Sequence, residues 1–259
     1  MSAEQETPFL AVRNLTMRYD ETLIQRDLDF NIPRGKVFIV MGPSGCGKTT
    51  LMRHMVGLER PAEGEVLYQG ISLWDADPGT RNTILRRCGV LYQSSALWSS
   101  MTLAENVAMP LEQFTDLSAG QIEEVVSVKL ALVGLSGFED FNPAELSGGM
   151  QKRAALARAM ALDPEILFFD EPTGGLDPVS ARRMDQLILQ LRDGLGTTII
   201  AVTHDLATIL DIGDDSVFLD GERQTMVARG NPQHLREECE DEKVRAFLNW
   251  GETEDGADG

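Results

Sequence analysis

Val37-Phe38-Ile39-Val40-Met41 runs directly into Gly42-Pro43-Ser44-Gly45-Cys46-Gly47-Lys48-Thr49-Thr50, and the reading of this stretch decides the fold. A short, largely apolar run that ends at glycine reads as a buried strand. The residues after it fit G-x-x-x-x-G-K-[ST], the pattern of a phosphate loop between a strand and a helix. Glycines let the main chain curl until its N–H groups converge on phosphate oxygens, and a helix opening near Lys48 adds its positive dipole end. Lys48 is spaced to reach β- and γ-phosphates, and the Thr49 hydroxyl to ligate magnesium. Cys46 reads either as a thiol open to reagents or as a small residue that fits the loop.

Further along, Ile166-Leu167-Phe168-Phe169-Asp170-Glu171 is a second apolar strand, closed by two carboxylates at the sheet edge where ligands bind in such folds. Asp170 suits a magnesium ion, and Glu171 suits orienting or deprotonating an attacking water. Alone, the pair could equally cap the turn before Pro172. Leu146-Ser147-Gly148-Gly149-Met150-Gln151 precedes a helical run, so Ser147 with the two glycine N–H groups forms either an anion site or a plain N-cap.

Composition bounds the rest. The chain has 259 residues, 42% hydrophobic and 25% charged, so a sizeable core forms without disulfides or metal. Cys46, Cys88 and Cys239 are scattered, which fits reduced thiols in the cytoplasm. With 41 acidic against 23 basic residues the net charge is -18, a poor match to nucleic acid or an anionic lipid surface. Met1–Glu6 is acidic with no apolar stretch, so no secretory signal is expected, and the longest apolar runs are too short to cross a bilayer.

Continuous apolar runs, Thr198–Val202 among them, alternate with helical segments and predict a mostly parallel sheet covered on both faces. Phe9–Tyr19 and Leu28–Ile32 predict an antiparallel edge around a turn at Asp20-Glu21-Thr22. Leu103–Leu111, Ala119–Val133 and Gly149–Leu162 carry helical spacing, predicting a helical insertion over about 94–162. Lys152, Arg153 and Arg158 read as its solvated face. From Pro232 onward one amphipathic helix is expected, with Val244, Phe247, Leu248 and Trp250 on its apolar side. Glu252–Gly259 then reads as a solvated acidic tail.

Taken in order, these motifs resemble an ATP-binding-cassette nucleotide-binding domain over roughly Phe9–Gly230: an α/β P-loop NTPase core of RecA type, with an antiparallel β edge and an inserted helical subdomain. Gly42–Thr50 resembles the Walker A loop, Ile166–Glu171 the Walker B strand and Leu146–Gln151 the signature motif. Gln93, after Gly89-Val90-Leu91-Tyr92, is similar to the Q-loop glutamine, which ligates magnesium and senses the reaction. Asp177 in Leu176-Asp177-Pro178 resembles the D-loop, His204 the switch histidine, and Tyr19 the aromatic that stacks on adenine. The resemblance divides the chain into a cassette, 1–235, and a C-terminal helix with acidic tail, 236–259.

It also implies a head-to-tail homodimer in which Ser147, Gly148 and Gly149 contact the γ-phosphate bound by the other copy. ATP and magnesium are the implied cofactors, and hydrolysis is coupled to transport. Met150, Gln93-Ser94-Ser95-Ala96-Leu97, Ala104–Leu111 and Lys243–Leu248 are similar to Mla/Mce-type ATPases of phospholipid transport. That likeness implies an integral-membrane permease, Mce-type lipid-binding and small regulatory subunits, and a place on the cytoplasmic face of the inner membrane. Ser94–Pro110, with Leu97, Trp98, Met101 and Leu103 read as exposed, would receive the permease; the competing reading packs these side chains inside the helical insertion. A polar-solute importer, a soluble non-transport cassette ATPase, and a non-hydrolysing binding or scaffold module are the rival functions; the last would be expected to lack Lys48, Glu171 or His204, all of which are present. Gly174-Gly175 and Met150 depart from the family's commonest wording.

Overall fold

The computed structural model describes residues 8–249; the expected tail and Trp250 lie outside them. In chain order its elements are β1 (Leu10–Tyr19), β2 (Thr22–Ile32), β3 (Val37–Met41), α1 (Lys48–Met55), β4 (Glu63–Tyr68), β5 (Ile71–Ser72), α2 (Pro78–Arg86) and β6 (Cys88–Leu91). Then follow α3 (Leu103–Phe114), α4 (Ala119–Leu132), α5 (Gly148–Ala159), β7 (Ile166–Asp170), α6 (Pro178–Leu195) and β8 (Thr198–Val202). The chain continues through α7 (Leu206–Ile212), β9 (Asp215–Asp220), β10 (Thr225–Gly230), α8 (Pro232–Glu238) and α9 (Glu242–Leu248).

These fall into two compact units, one joining the chain up to Leu85 with that from Ile200, the other Arg86–Ile199. In the first, an antiparallel sheet has the order β2-β1-β4-β5, with Leu10 of β1 paired to Ile32 and Tyr68. Its other strands run β10-β9-β3-β8, β3 lying parallel to β9 with Val40 opposite Val217. Every residue of β3 is buried, the pattern of a strand covered on both faces.

The β1–β2 hairpin differs from expectation. Its second strand starts at Thr22 rather than Leu28, because Gln25 is buried although polar and its neighbours Arg26 and Asp27 are exposed, which breaks the apolar pattern. Beyond Pro232 two helices form instead of one, since Asn231 and Asp241 each cap their own helix by accepting two main-chain N–H bonds. Val244 and Leu248 are fully covered, and the Phe247 ring meets Phe218 edge-on at 5.2 Å.

The second unit has the strand order β8-β7-β6, β8 straddling its boundary, with β6 and β7 parallel. Between β6 and β7 lie α3, α4, a 3-10 turn at Pro143–Glu145, and α5. Helix α3 is opened by a reciprocal cap: Glu105 N–H donates to Thr102 Oγ1 at 3.2 Å, and Thr102 N–H donates to Glu105 Oε2 at 2.7 Å. Leu103, expected to be exposed, is wholly buried and belongs to the core of this unit, while Trp98 is 56% exposed. The reason is helix phase: Leu103 shares its face with the buried Val107 and Leu111. Buried Asn106 fixes the loop before it, donating to the carbonyls of Trp98, Met101 and Thr102 and accepting from Trp98 N–H.

Candidate functional site: a phosphate loop and an acidic strand end

In the first unit the sequence Gly42–Thr50 curls between β3 and α1. Gly42 has φ 145°, and a Cβ there would lie 2.4 Å from the Leu219 carbonyl oxygen, so only glycine fits. Gly47 precedes α1 with φ 99° and, having no side chain, places no cap over the helix N-terminus. Pro43, Ser44, Gly45 and Thr49 are exposed, while Thr50 is half-buried. Lys48 is 7% exposed and folds back over the loop, its Nζ donating to the carbonyls of Gly42 at 2.8 Å and Pro43 at 3.0 Å. A phosphate oxygen is a stronger acceptor than either carbonyl, so this ammonium is poised to exchange partners.

Cys46 is buried, and burial pushes its thiol above the ordinary cysteine range despite the opposing pull of Lys48. The thiol is therefore not activated, and of the two readings the small residue that fits is the one this environment favours. Tyr19, at the end of β1, is 44% exposed, with its hydroxyl 3.4 Å from both carboxylate oxygens of Glu59. His204 follows β8 and is exposed; next to it Asp205 caps α7 by accepting from Ala207 and Thr208.

In the second unit β7 is buried throughout and ends in Asp170 and Glu171, 6% and 9% exposed. Glu171 has φ 50°, a left-handed conformation that an ordinary side chain adopts at a cost of about 1–3 kcal/mol. Lys152 holds it there. Its Nζ donates to the carbonyls of Glu171 at 2.7 Å, Pro172 at 3.0 Å and Gly174 at 2.7 Å, joining helix α5 to the turn after β7.

The expected solvated face of α5 is thus corrected. Lys152 is 5% exposed, Arg153 donates to the carbonyls of Val133 and Gly134, and Arg158 to those of Ala96 and Ser95. Burial lowers the pKa of Lys152, against the nearby charges of Glu171 and Asp170, which raise it. The arginine contacts matter to Gln93, which is itself exposed, because Ser95 and Ala96 just beyond it hold φ of 64° and 49° and are fixed by Arg158. Lys152 was missed although a signal existed: three and four residues on, Ala155 and Leu156 are buried, so it lies on the covered side of the helix.

Ser147 caps α5, accepting from Met150 N–H at 3.3 Å, with Gly148 and Gly149 as the first helical residues. Asp177 caps α6, accepting from Val179 and Ser180 at 3.0 Å each, and its carboxyl is held below the usual range first by the Ser180 side chain.

A strand–phosphate-loop–helix unit, together with a buried acidic strand end and a serine–glycine helix start, defines a nucleotide-binding ATPase. The sequence matches the ABC transporter family over residues 25–174, and the chain belongs to that family as an ABC ATPase subunit. It is 39% identical to the intermembrane phospholipid transport system ATP-binding protein MlaF of Escherichia coli strain K12, across 92% of this chain and 87% of that protein. It is 38% identical to the probable ribonucleotide transport ATP-binding protein mkl of Mycobacterium leprae, across 93% of this chain and 68% of that one. Among solved structures, cbiO1 of Clostridium perfringens, part of the ABC transporter complex cbiONQ, superposes with a TM-score of 0.82. It is 27% identical and covers 97% of this chain and 98% of its own. The dimeric cassette MJ0796 in a post-hydrolysis state with ADP and Pi is 30% identical with a TM-score of 0.77, covering 86% of this chain and 98% of its own.

Proposed function

We propose that this subunit binds and hydrolyses ATP as a homodimer and thereby energises movement of a phospholipid or another hydrophobic solute through a partner permease. The observation that carries the reading is the glycine-shaped loop that leads into α1, with Lys48 folded back over it. In this reading residues 1–235 form the cassette, with 94–162 as its helical insertion, and 236–259 are appended to it.

The N–H groups of Ser44 to Thr50 cradle the phosphates, and Lys48 leaves the loop carbonyls for the β- and γ-phosphate oxygens. Tyr19 stacks on adenine. Glu171 orients the attacking water and accepts its proton as the bond to the γ-phosphorus forms and the bond to the leaving ADP oxygen breaks. His204 donates to the γ-phosphate, Gln93 reports on its presence, and Ser147, Gly148 and Gly149 of the second copy close over it, with Asp177 at the same seam. The Thr49 hydroxyl, the Gln93 amide oxygen and the Asp170 carboxylate are oxygen donors of the kind magnesium takes, and these are the residues that would hold it. Magnesium bound with ATP would neutralise charge building on the β- and γ-phosphates.

Among the described residues no helix is long and apolar enough to cross a membrane. The likeness to ATP-binding subunits of membrane transport systems supports a peripheral place on the cytoplasmic face of the cell membrane, held by a permease that docks at Ser94–Pro110 through Trp98. Mce-type lipid-binding and small regulatory subunits complete the proposed assembly. Trp98→Glu should release the permease in co-purification while ATP binding persists; a complex that survives removes this surface.

Glu171→Gln should keep ATP binding and lower turnover by about 10²–10⁴-fold. Turnover near wild type would remove Glu171 from the reaction. For the solute, vesicles holding the subunit and its permease should move labelled phospholipid on ATP addition. The likeness to mkl supplies the second reading, and uptake of a ribonucleotide in the same vesicles would favour it.

A further inference from the structure

Gln25 is a polar side chain with no exposure at all, set in the middle of β2. Its Nε2 donates to the carbonyl of Cys46 in the phosphate loop at 2.8 Å and to the carbonyl of Asp220, at the end of β9, at 3.1 Å. Both partners are acceptors, so the amide nitrogen and not the oxygen must face them. The opposite atom, Oε1, is buried with no hydrogen-bond partner among the described residues. A stranded acceptor is unfavourable, and a leucine or methionine of similar bulk would fill the same space without it. Packing alone therefore does not account for an amide here.

We propose that Gln25 is a positioning residue for the phosphate loop, fixing the Cys46–Gly47 peptide so that its N–H serves the β-phosphate of the bound nucleotide. The peptide is planar and trans, so its carbonyl and its N–H point in opposite directions. Drawing the Cys46 carbonyl toward Gln25 aims the Gly47 N–H away from Gln25.

Hydrogen bonds hold the anchor on both sides of Gln25 and at Asp220. Arg26 N–H donates to the Gln224 carbonyl, Gln224 Nε2 donates to the Leu23 carbonyl, and Thr225 Oγ1 donates to the Arg26 carbonyl, bracketing Gln25 along its strand. Asp220 is 3% exposed. Its carboxylate accepts from Glu222 and Arg223 N–H groups and from Lys243 of α9 at 3.2 Å. Gln25 thus ties a loop rich in glycine to a strand end that several hydrogen bonds hold in place.

The inference rests on Gly42–Thr50 being the phosphate cradle, and the experiment separates the two. Binding of ATP, ADP and AMP would be measured by calorimetry on the full chain for wild type, Lys48→Ala, Gln25→Met and Gln25→Leu, alongside thermal unfolding. Gln25→Met and Gln25→Leu should weaken ADP and ATP about tenfold, the effect of one lost hydrogen bond, and leave AMP binding unchanged; the Tm should fall only modestly, because the Cys46 and Asp220 carbonyls lose their donor while the chain stays folded at the temperature of the binding measurement. If Lys48→Ala weakens ADP while both Gln25 variants bind it as wild type does, Gln25 has no positioning role. Equal weakening of AMP and ADP, or a fall in Tm that accounts for the lost binding, makes Gln25 merely structural and likewise overturns the proposal. If Lys48→Ala itself leaves ADP binding intact, the cradle is misassigned and the proposal falls with it. Should one variant fail to fold, the other carries the test, and slow exchange of the Gly47 amide in wild type on adding ADP but not AMP is the independent readout.

Discussion

Lys48 and Lys152 are both buried lysines that donate to main-chain carbonyls, one in each unit, and the way their donors are used separates ligand chemistry from architecture. An ammonium has three hydrogens to donate. Among the described residues Lys48 gives two, both to its own loop five and six residues back, and the acceptors belong to the loop proposed to cradle phosphate. Lys152 gives all three, to a turn about twenty residues ahead in sequence, and nothing remains for a ligand. A lysine with donors to exchange is equipped to bind; one with its donors saturated holds a backbone in place. Here the backbone held is the left-handed turn at Glu171.

The contrast breaks most sharply at Lys48. Lys48→Ala should lower turnover by about 10²–10³-fold, the effect of losing one oriented donor to developing charge, with the Tm close to wild type. A large fall in Tm with turnover intact would reverse the roles of the two lysines. Lys152→Met should do the opposite first, destabilising the second unit by about 3 kcal/mol because buried carbonyls lose their donor, as read by urea unfolding. Turnover should then fall in the variant that still folds, since Glu171 loses its hold. Loss of turnover with no loss of stability would instead make Lys152 a direct participant.

The smallest effect sharpens the comparison with a third buried base. His54, on α1, donates from Nδ1 to the Glu59 carbonyl at 2.9 Å, and its buried Nε2 has no partner among the described residues. Burial lowers its pKa below the ordinary 6.5. The unfolded chain therefore takes up a proton first as pH falls through 6.5, so stability is complete above that value and declines below it, toward the folded-state pKa. His54→Gln should flatten the fall of Tm on acidification; an unchanged profile would show that other groups set the acid sensitivity.

Much of the site was legible because it is local. Gly42, Gly47, Lys48 and Thr49 lie within one turn of chain, and β7 with its two carboxylates is one short run. The β2 strand was only half visible, since buried Gln25 and exposed Asp27 disguise its alternation; Leu103 sits at the start of a run that reads as helical, but which face of that helix meets the core is decided only by packing. Val244 and Leu248 were read as apolar and are buried, yet the break between α8 and α9 depends on an aspartate cap that composition does not announce.

By itself the sequence determined the phosphate loop, the acidic strand end and the family, since each rests on residue types at fixed, short spacings whose geometry follows from the backbone. Only the tertiary structure decided which polar side chains are buried and what they hold. Gln25 meets Asp220 across 195 residues of chain and Lys152 meets Gly174 across 22. No local pattern encodes such meetings, because the partner's carbonyl is identical for every residue type and only folding brings it near.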